Sequence, residues 1–297
     1  MTRRFSFVTL DVFTDRRFGG NQLAVFPDAR GLSDAEMQAL AAELNLSETT
    51  FVLPPADPAN TARVRIFNRV AEMPFAGHPS VGTSFVLARR DAGLGDRLRL
   101  EVPAGIVGVE LWRDAAGAAT GAAIGAPQAL TVGAALPVAP VAACAGLPDQ
   151  GVVTARHPPR LAADGGNPRA LVEVTAEALA AAQPDLAAFR RAVATLPELG
   201  GRLSLYLYRR DGAALRARMF SPLTGTWEDP ATGSAATPLA GFLLHLSGEA
   251  QATLDIHQGV EMGRPSLLRT TARRTDEGIR ATVGGTCVPV FEGHVTL

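Results

Sequence analysis

Asp229-Pro-Ala-Thr-Gly-Ser-Ala-Ala236 stands directly before an apolar run that ends near Leu246. An acid, a proline and a Gly-Ser pair ahead of such a run are the marks of a helix whose N-terminus receives an anion. Gly233 lets other groups approach the backbone, and Ser234 offers a hydroxyl and a first-turn N–H. The aligned peptide dipoles favour negative charge at that end. A weaker counterpart lies earlier: Phe75-Ala-Gly-His-Pro-Ser-Val-Gly82 also opens a helix-like apolar run. Two such openings in one chain predict two halves that clamp one small acidic molecule.

Each opening sits in a similar order of segments. Residues 5–13 alternate as a strand, Phe18-Gly-Gly-Asn21 reads as a turn, and residues 23–26 as a second strand. Ser33-Asp-Ala-Glu36 is a capping box that starts a helix ending near Asn45. Strands are expected at 47–52 and 63–68. A helix over 80–90 follows Pro79, and further strands lie at 98–102 and 108–112. The Ala-, Gly- and Pro-rich stretch 115–150 reads as the crossing between halves. Beyond it come strands at 152–155 and 170–174, then a helical stretch 175–196 broken near Pro184. Strands at 203–209 and 214–220 form a hairpin around Asp211-Gly212. After the second glycine loop and its helix, strands are expected at 252–257, 266–271, 279–284 and 288–297. The repetition predicts an internal duplication visible in pattern rather than in identities.

The chain has 297 residues, 47% of them hydrophobic, with a formal net charge of −1. That balance argues against general binding to nucleic acid or anionic membrane. No apolar run reaches spanning length, and the N-terminal residues lack the pattern of a signal peptide, so the cytoplasm is the expected location. All 28 basic residues are arginine. The absence of lysine removes Schiff-base and P-loop lysine chemistry, and dinucleotide, serine-hydrolase and zinc-peptidase motifs are missing as well. Cys144 and Cys287 stand outside any C-x-x-C pair and read as small buried hydrophobes.

Five stretches carry a more specific signal. Phe18-Gly-Gly-Asn-Gln-Leu-Ala-Val25, Asn45-Leu-Ser-Glu-Thr-Thr-Phe-Val52, Pro74-Phe-Ala-Gly-His-Pro-Ser-Val-Gly82, Glu228-Asp-Pro-Ala-Thr-Gly-Ser-Ala-Ala236 and Gln258-Gly-Val-Glu-Met-Gly-Arg-Pro-Ser266 follow one another at ordinary spacing. Together they resemble the motif set of the phenazine-biosynthesis PhzF-like isomerase family. The resemblance implies the diaminopimelate-epimerase-like fold. That is an α+β architecture of two pseudo-symmetric domains, each a barrel-like, mostly antiparallel sheet around a central helix, with the site in the cleft between them. On this expectation residues 1–118 and 286–297 form the N-terminal half, and 119–285 the C-terminal half. The resemblance further implies a homodimer and a reaction without metal or cofactor.

Glu48 is the candidate general acid/base, since moving a proton between carbons needs a group that takes it and returns it. Capping of a neighbouring turn is the bland alternative; the resemblance favours catalysis. His78, at a helix start, either bonds backbone or, by resemblance, contacts substrate and relays the proton, and the helix N-terminus disfavours its cationic form. Asp229 either caps its loop or, by resemblance, meets a polar substrate group. Ser234 and the N–H groups of Gly77 and Gly233 form the expected carboxylate cradle, and plain capping is the competing role. Asn21 shapes its turn and faces the cleft. The stretch from Gly259 through Gly263 and Arg264 reads as mainly structural.

Cofactor-free amino-acid epimerases of this fold use two cysteines, one ahead of each glycine loop. This chain has Ala76 and Thr232 at those places, and neither side chain can act as a thiolate base. The favoured reading is an isomerase that moves a proton on a small carboxylated metabolite through Glu48. The alternatives are an epimerase or racemase using a non-cysteine pair such as Glu48 with His78, and a catalytically silent metabolite-binding protein.

Overall fold

The computed structural model describes residues 2–297 and divides the chain into two compact units. One comprises the residues up to Gly125 together with Val283–Leu297, and the other is Ala126–Thr282. Each is an α+β body in which strands surround one helix.

In the first unit, β1 (Arg4–Val12) pairs antiparallel with β2 (Asn21–Phe26), and α1 (Asp34–Leu44) follows. β3 (Glu48–Leu53) then runs parallel to β2 and antiparallel to β4 (Ala62–Phe67), which the two-residue β5 (Glu72–Met73) flanks. After α2 (Gly77–Arg90), β6 (Arg97–Val102) lies parallel to β4 and leads through β7 (Gly105–Arg113) to β8 (Ala119–Gly125). The last strand of the chain, paired with both β8 and β1, closes a ring of eight strands.

α2 occupies the middle of that ring. Its residues from His78 to Val86 are all buried, so an almost featureless apolar and small-residue sequence suits it better than an amphipathic one. Gly82 marks the closest approach to the wall. A Cβ there would lie 2.6 Å from Leu23 Cδ2 and 2.8 Å from Val12 Cγ2, so any larger residue would have to push those side chains aside. α1 lies outside the ring and buries Met37, Leu40 and Ala41 against Phe26, Phe51 and Phe67. Phe26 and Phe51 stack at 4.9 Å, and Phe67 meets Phe51 edge-on; each such pair adds roughly 1 kcal/mol to simple burial.

The second unit repeats the scheme. β9 (Thr131–Ala135), α3 (Val138–Cys144), β10 (Arg160–Ala163) and β11 (Arg169–Glu173) lead to α4 (Ala176–Ala181) and α5 (Leu186–Thr195). β12 (Leu205–Asp211) runs parallel to β11, as β3 does to β2. β13 (Ala214–Ser221) and β14 (Thr226–Asp229) stand where β4 and β5 stand, and β15 (Gln251–Gln258) runs parallel to β13 as β6 does to β4. Between them α6 (Gly233–Ser247) takes the place of α2 and packs on β15, β16 (Ser266–Thr275), β10 and β11. β17 (Gly278–Thr296) starts in this unit. Backbone bonds from Ala126 to Ala281 and from Leu130 to Ile279, with β9 on β10, complete the ring.

Several expectations need correction. The boundary expected at 118/119 falls short, because β8 completes the antiparallel sequence β6–β7–β8 and so belongs to the first unit. The return expected at 286 comes at Val283 for the same reason: Gly284 and Gly285 pack on β8 residues Ala122, Ala123 and Gly121. The two strands expected at the C-terminus are one continuous β17. Residues 152–155 make only an isolated bridge, Val152 to Val174, and no strand. β10 and α3, by contrast, carry no distinctive sequence pattern. Among the described residues no helix is long and apolar enough to cross a membrane.

Candidate active site

Glu48 is the first residue of β3, opposite Leu23 in the parallel β2–β3 pair. α1 ends just before it at Asn45, whose left-handed backbone (φ 52°) turns the chain out of the helix. Ser47 Oγ donates to Asn21 Oδ1 at 3.1 Å, so the turn that opens β2 holds the segment carrying Glu48. His78 is the second residue of α2, buried inside the ring. Its Nε2 lies 3.1 Å from Glu48 Oε2, and the two side chains are 8% and 16% exposed.

The tautomer of His78 follows from its partners. Nε2 makes no aligned hydrogen bond, so the bond that the ring forms with the Gln22 backbone belongs to Nδ1. That bond favours a protonated nitrogen, as donation to a carbonyl does. Burial outweighs it and pushes the imidazole down to about 3. A neutral ring with its proton on Nδ1 presents a bare Nε2 to the carboxylate. Two acceptors at that distance form a hydrogen bond only when one proton lies between them.

In the second unit, Asp229 ends β14, three residues ahead of Thr232, the N-cap of α6. Thr232 Oγ1 donates to Asp229 Oδ2 and therefore does not cap the helix. Gln258, fully buried, ties the loop together. Its Nε2 donates to Asp229 O at 2.7 Å and Thr232 Oγ1 at 3.0 Å, while its Oε1 accepts from Tyr206 Oη at 2.9 Å and Thr232 N at 3.2 Å. Gly259 then turns away with φ 72°; a Cβ there would lie 2.6 Å from Pro230 O and 2.5 Å from Arg264 O, which only glycine permits.

Ser234 lies in the first turn of α6, where its Oγ accepts from Arg169 Nη2 at 2.9 Å. The capping role open to Ser234 from sequence is thus not the one it fills. Asp164, 5% exposed, lies near Arg169 and is bonded to Thr237; burial pushes its carboxyl up to about 6.

α1, α4 and α5 carry side-chain caps from Ser33, Thr175 and Asp185. The short α3, which follows Pro137, has none. Nor have the two central helices, α2 and α6. Their first-turn N–H groups are left to an external acceptor, which suits an anion. Ala76 and Thr232 are the N-caps of these helices. Cys144 and Cys287 are both buried; burial pushes the Cys144 thiol up to about 12 and raises that of Cys287 as well, so neither serves as a base.

The structure therefore brings Glu48, His78, Gly77 and Asn21 together in the first unit, and Asp229, Gly233 and Ser234 together in the second. Sequence reasoning missed Arg169 and Gln258. Gln258 opens one of the five motifs and is legible to that extent, whereas Arg169, 65 residues from Ser234 in the chain, carries no signal. Among the described residues no group of three or more His, Cys, Asp or Glu is placed to hold a metal ion.

Relatives of known sequence match this chain almost from end to end. An uncharacterized isomerase of Mesorhizobium japonicum is 38% identical over 98% of each chain. The trans-2,3-dihydro-3-hydroxyanthranilate isomerase of Pseudomonas chlororaphis is 35% identical over 98% of this chain and 99% of its own. The crystal structure of a PhzF-family phenazine biosynthesis protein from Bacillus anthracis superposes with a TM-score of 0.88 at 24% identity, covering 99% of both chains, and so shares the fold. The sequence model of the phenazine biosynthesis-like proteins (PhzC-PhzF) matches residues 10–293, and with curated isomerases aligned from end to end, the chain belongs to that family and is an isomerase.

Proposed function

We propose that the chain is a proton-shift isomerase of a small carboxylated metabolite, working without metal or cofactor, with Glu48 as general acid/base. The observation that carries this reading is the contact of Glu48 with a neutral, buried His78. In the step proposed, the Glu48 carboxylate takes a proton from one carbon. The electron pair of that C–H bond moves through an adjacent double bond, and the same proton returns to the far carbon as the new C–H bond forms. His78 shares the proton in transit. Uncapped first-turn N–H groups stabilise the charge that develops on the substrate carboxylate and its conjugated carbons. General acid–base catalysis of this kind contributes roughly 10²–10⁴-fold.

The dihydro-hydroxyanthranilate acted on by the curated relatives is the first substrate to try. It carries a carboxylate, an amine and a hydroxyl; Asp229 is the proposed partner of the amine. Two-base epimerisation is the weaker reading. Inversion needs a base on each face of one carbon, and Glu48 and His78, 3.1 Å apart, approach from one side.

The test incubates wild-type and Glu48→Gln protein in D2O with trans-2,3-dihydro-3-hydroxyanthranilate and with a panel of small carboxylic and aryl amino acids. Mass spectrometry reads isomer formation and deuterium content. Turnover by the wild type and its loss, by at least about 100-fold, in a folded Glu48→Gln variant is expected. Full activity of that variant removes Glu48 from the mechanism.

A further inference from the structure

Arg169, the first residue of β11, reaches the start of α6, and its contacts are incomplete in a telling way. Nη2 donates to Ser234 Oγ. Nε is buried and has no hydrogen-bond acceptor, an arrangement that is unfavourable when nothing fills it. Burial lowers the pKa of the guanidinium, and the charges of Asp229 and Asp164 oppose that effect without satisfying Nε.

Ser234 sharpens the point. Because its Oγ already accepts from Arg169, its own O–H is left to donate. It sits in the first turn of a 15-residue helix whose N-cap side chain is turned toward Asp229. Guanidinium, hydroxyl and backbone N–H groups thus gather at one place as donors. A planar group with two acceptor oxygens matches the fork of an arginine, and a neutral isostere with one acceptor does not.

We propose that Arg169 is the specificity-determining residue of the second unit, selecting a carboxylate over its neutral analogues by pairing Nε and Nη2 with the two oxygens while Ser234 supplies a further donor. This inference rests on the reading of the chain as acting on a carboxylated metabolite, and adds the residue that recognises that group. A merely structural Arg169 would serve only to hold Ser234. A lysine can make that single bond, yet it cannot reproduce the fork.

The test titrates benzoate and benzamide into ¹⁵N-labelled full-length protein and follows the amides of Gly233 and Ser234. Wild type should bind benzoate roughly tenfold or more tightly than benzamide, with shifts at both amides. Arg169→Gln and Arg169→Lys should each lose that preference while benzamide binding is unchanged. Benzoate binding that survives in Arg169→Gln, rescue of the preference by Arg169→Lys, or absence of any benzoate shift at Gly233 and Ser234 in the wild type overturns the proposal. Glu48→Gln protein should keep the preference. Loss of the isomerase reading with the preference intact therefore leaves Arg169 standing, and the converse result removes Arg169 alone.

Discussion

His78 Nε2 lies 3.1 Å from Glu48 Oε2, at the junction of the central helix and the parallel β2–β3 pair of the first unit. The contact joins residues 30 positions apart and places an imidazole that burial keeps neutral beside the acidic side chain of the site. The arrangement has consequences for stability that can be measured without any substrate.

The unfolded chain titrates His78 near its ordinary value of 6.5, and the folded chain near 3. Stability gained by keeping the ring neutral is complete above the unfolded value. It is lost as pH falls through the window toward 3, because the unfolded chain takes a proton that the fold refuses. At pH 5 the loss amounts to about 2 kcal/mol. Urea unfolding at pH 7 and pH 5 should show this loss in the wild type and its absence in His78→Gln. An ionised Glu48 at the observed distance supports the imidazolium and works against the loss, so equal acid sensitivity in the two proteins would show a charged pair.

Gln258 uses both of its oxygen lone pairs and both of its amide protons in the buried loop around Asp229. Gln258→Leu leaves Tyr206 Oη, Thr232 N and Asp229 O without this partner. The expected destabilisation is about 2–4 kcal/mol, from two or three orphaned groups. Chemical denaturation measures it, and a change below about 0.5 kcal/mol would mean that the loop repacks freely.

Arg218, 4% exposed, grips Glu228 with Nε at 2.8 Å and Nη2 at 2.9 Å, and its Nη1 donates to the carbonyls of Leu179 and Ala182. It fastens the strand carrying Asp229 to the end of α4. Arg218→Leu strands a half-buried carboxylate and should cost about 3–5 kcal/mol, while the double variant with Glu228→Leu should recover a large part of that. Thermal melts of both variants decide the matter; a double variant no more stable than the single one would place the energy in the carbonyl contacts.

Elements held by local interactions were legible in the chain. The Ser33–Glu36 capping box forms with both of its reciprocal bonds. The helical stretch breaks around Pro184 into α4 and α5, and the hairpin turns at Asp211-Gly212 between β12 and β13. Strands whose residues are buried on both faces, or too small to alternate, were not. β10 is four residues of Arg-Leu-Ala-Ala that become a strand only through pairing with β9 and β11. The 278–296 segment is one strand because β8 and β1 pair with successive parts of it.

The two glycine-opened helices and the chemical character of Glu48, His78, Asp229 and Ser234 were legible from the chain alone, since these follow from residue type, dipole and order; that no side chain caps either helix emerged only in the fold. Which groups meet depends on the folded unit. His78 is neutral because the ring of strands buries it. Ser234 Oγ accepts a hydrogen bond from Arg169, which arrives from another strand, and Asp229 is fixed by Gln258 from beyond the helix. Such partners stand 26 or more residues apart, and contact at that separation is set by the packing of the whole unit rather than by any local propensity.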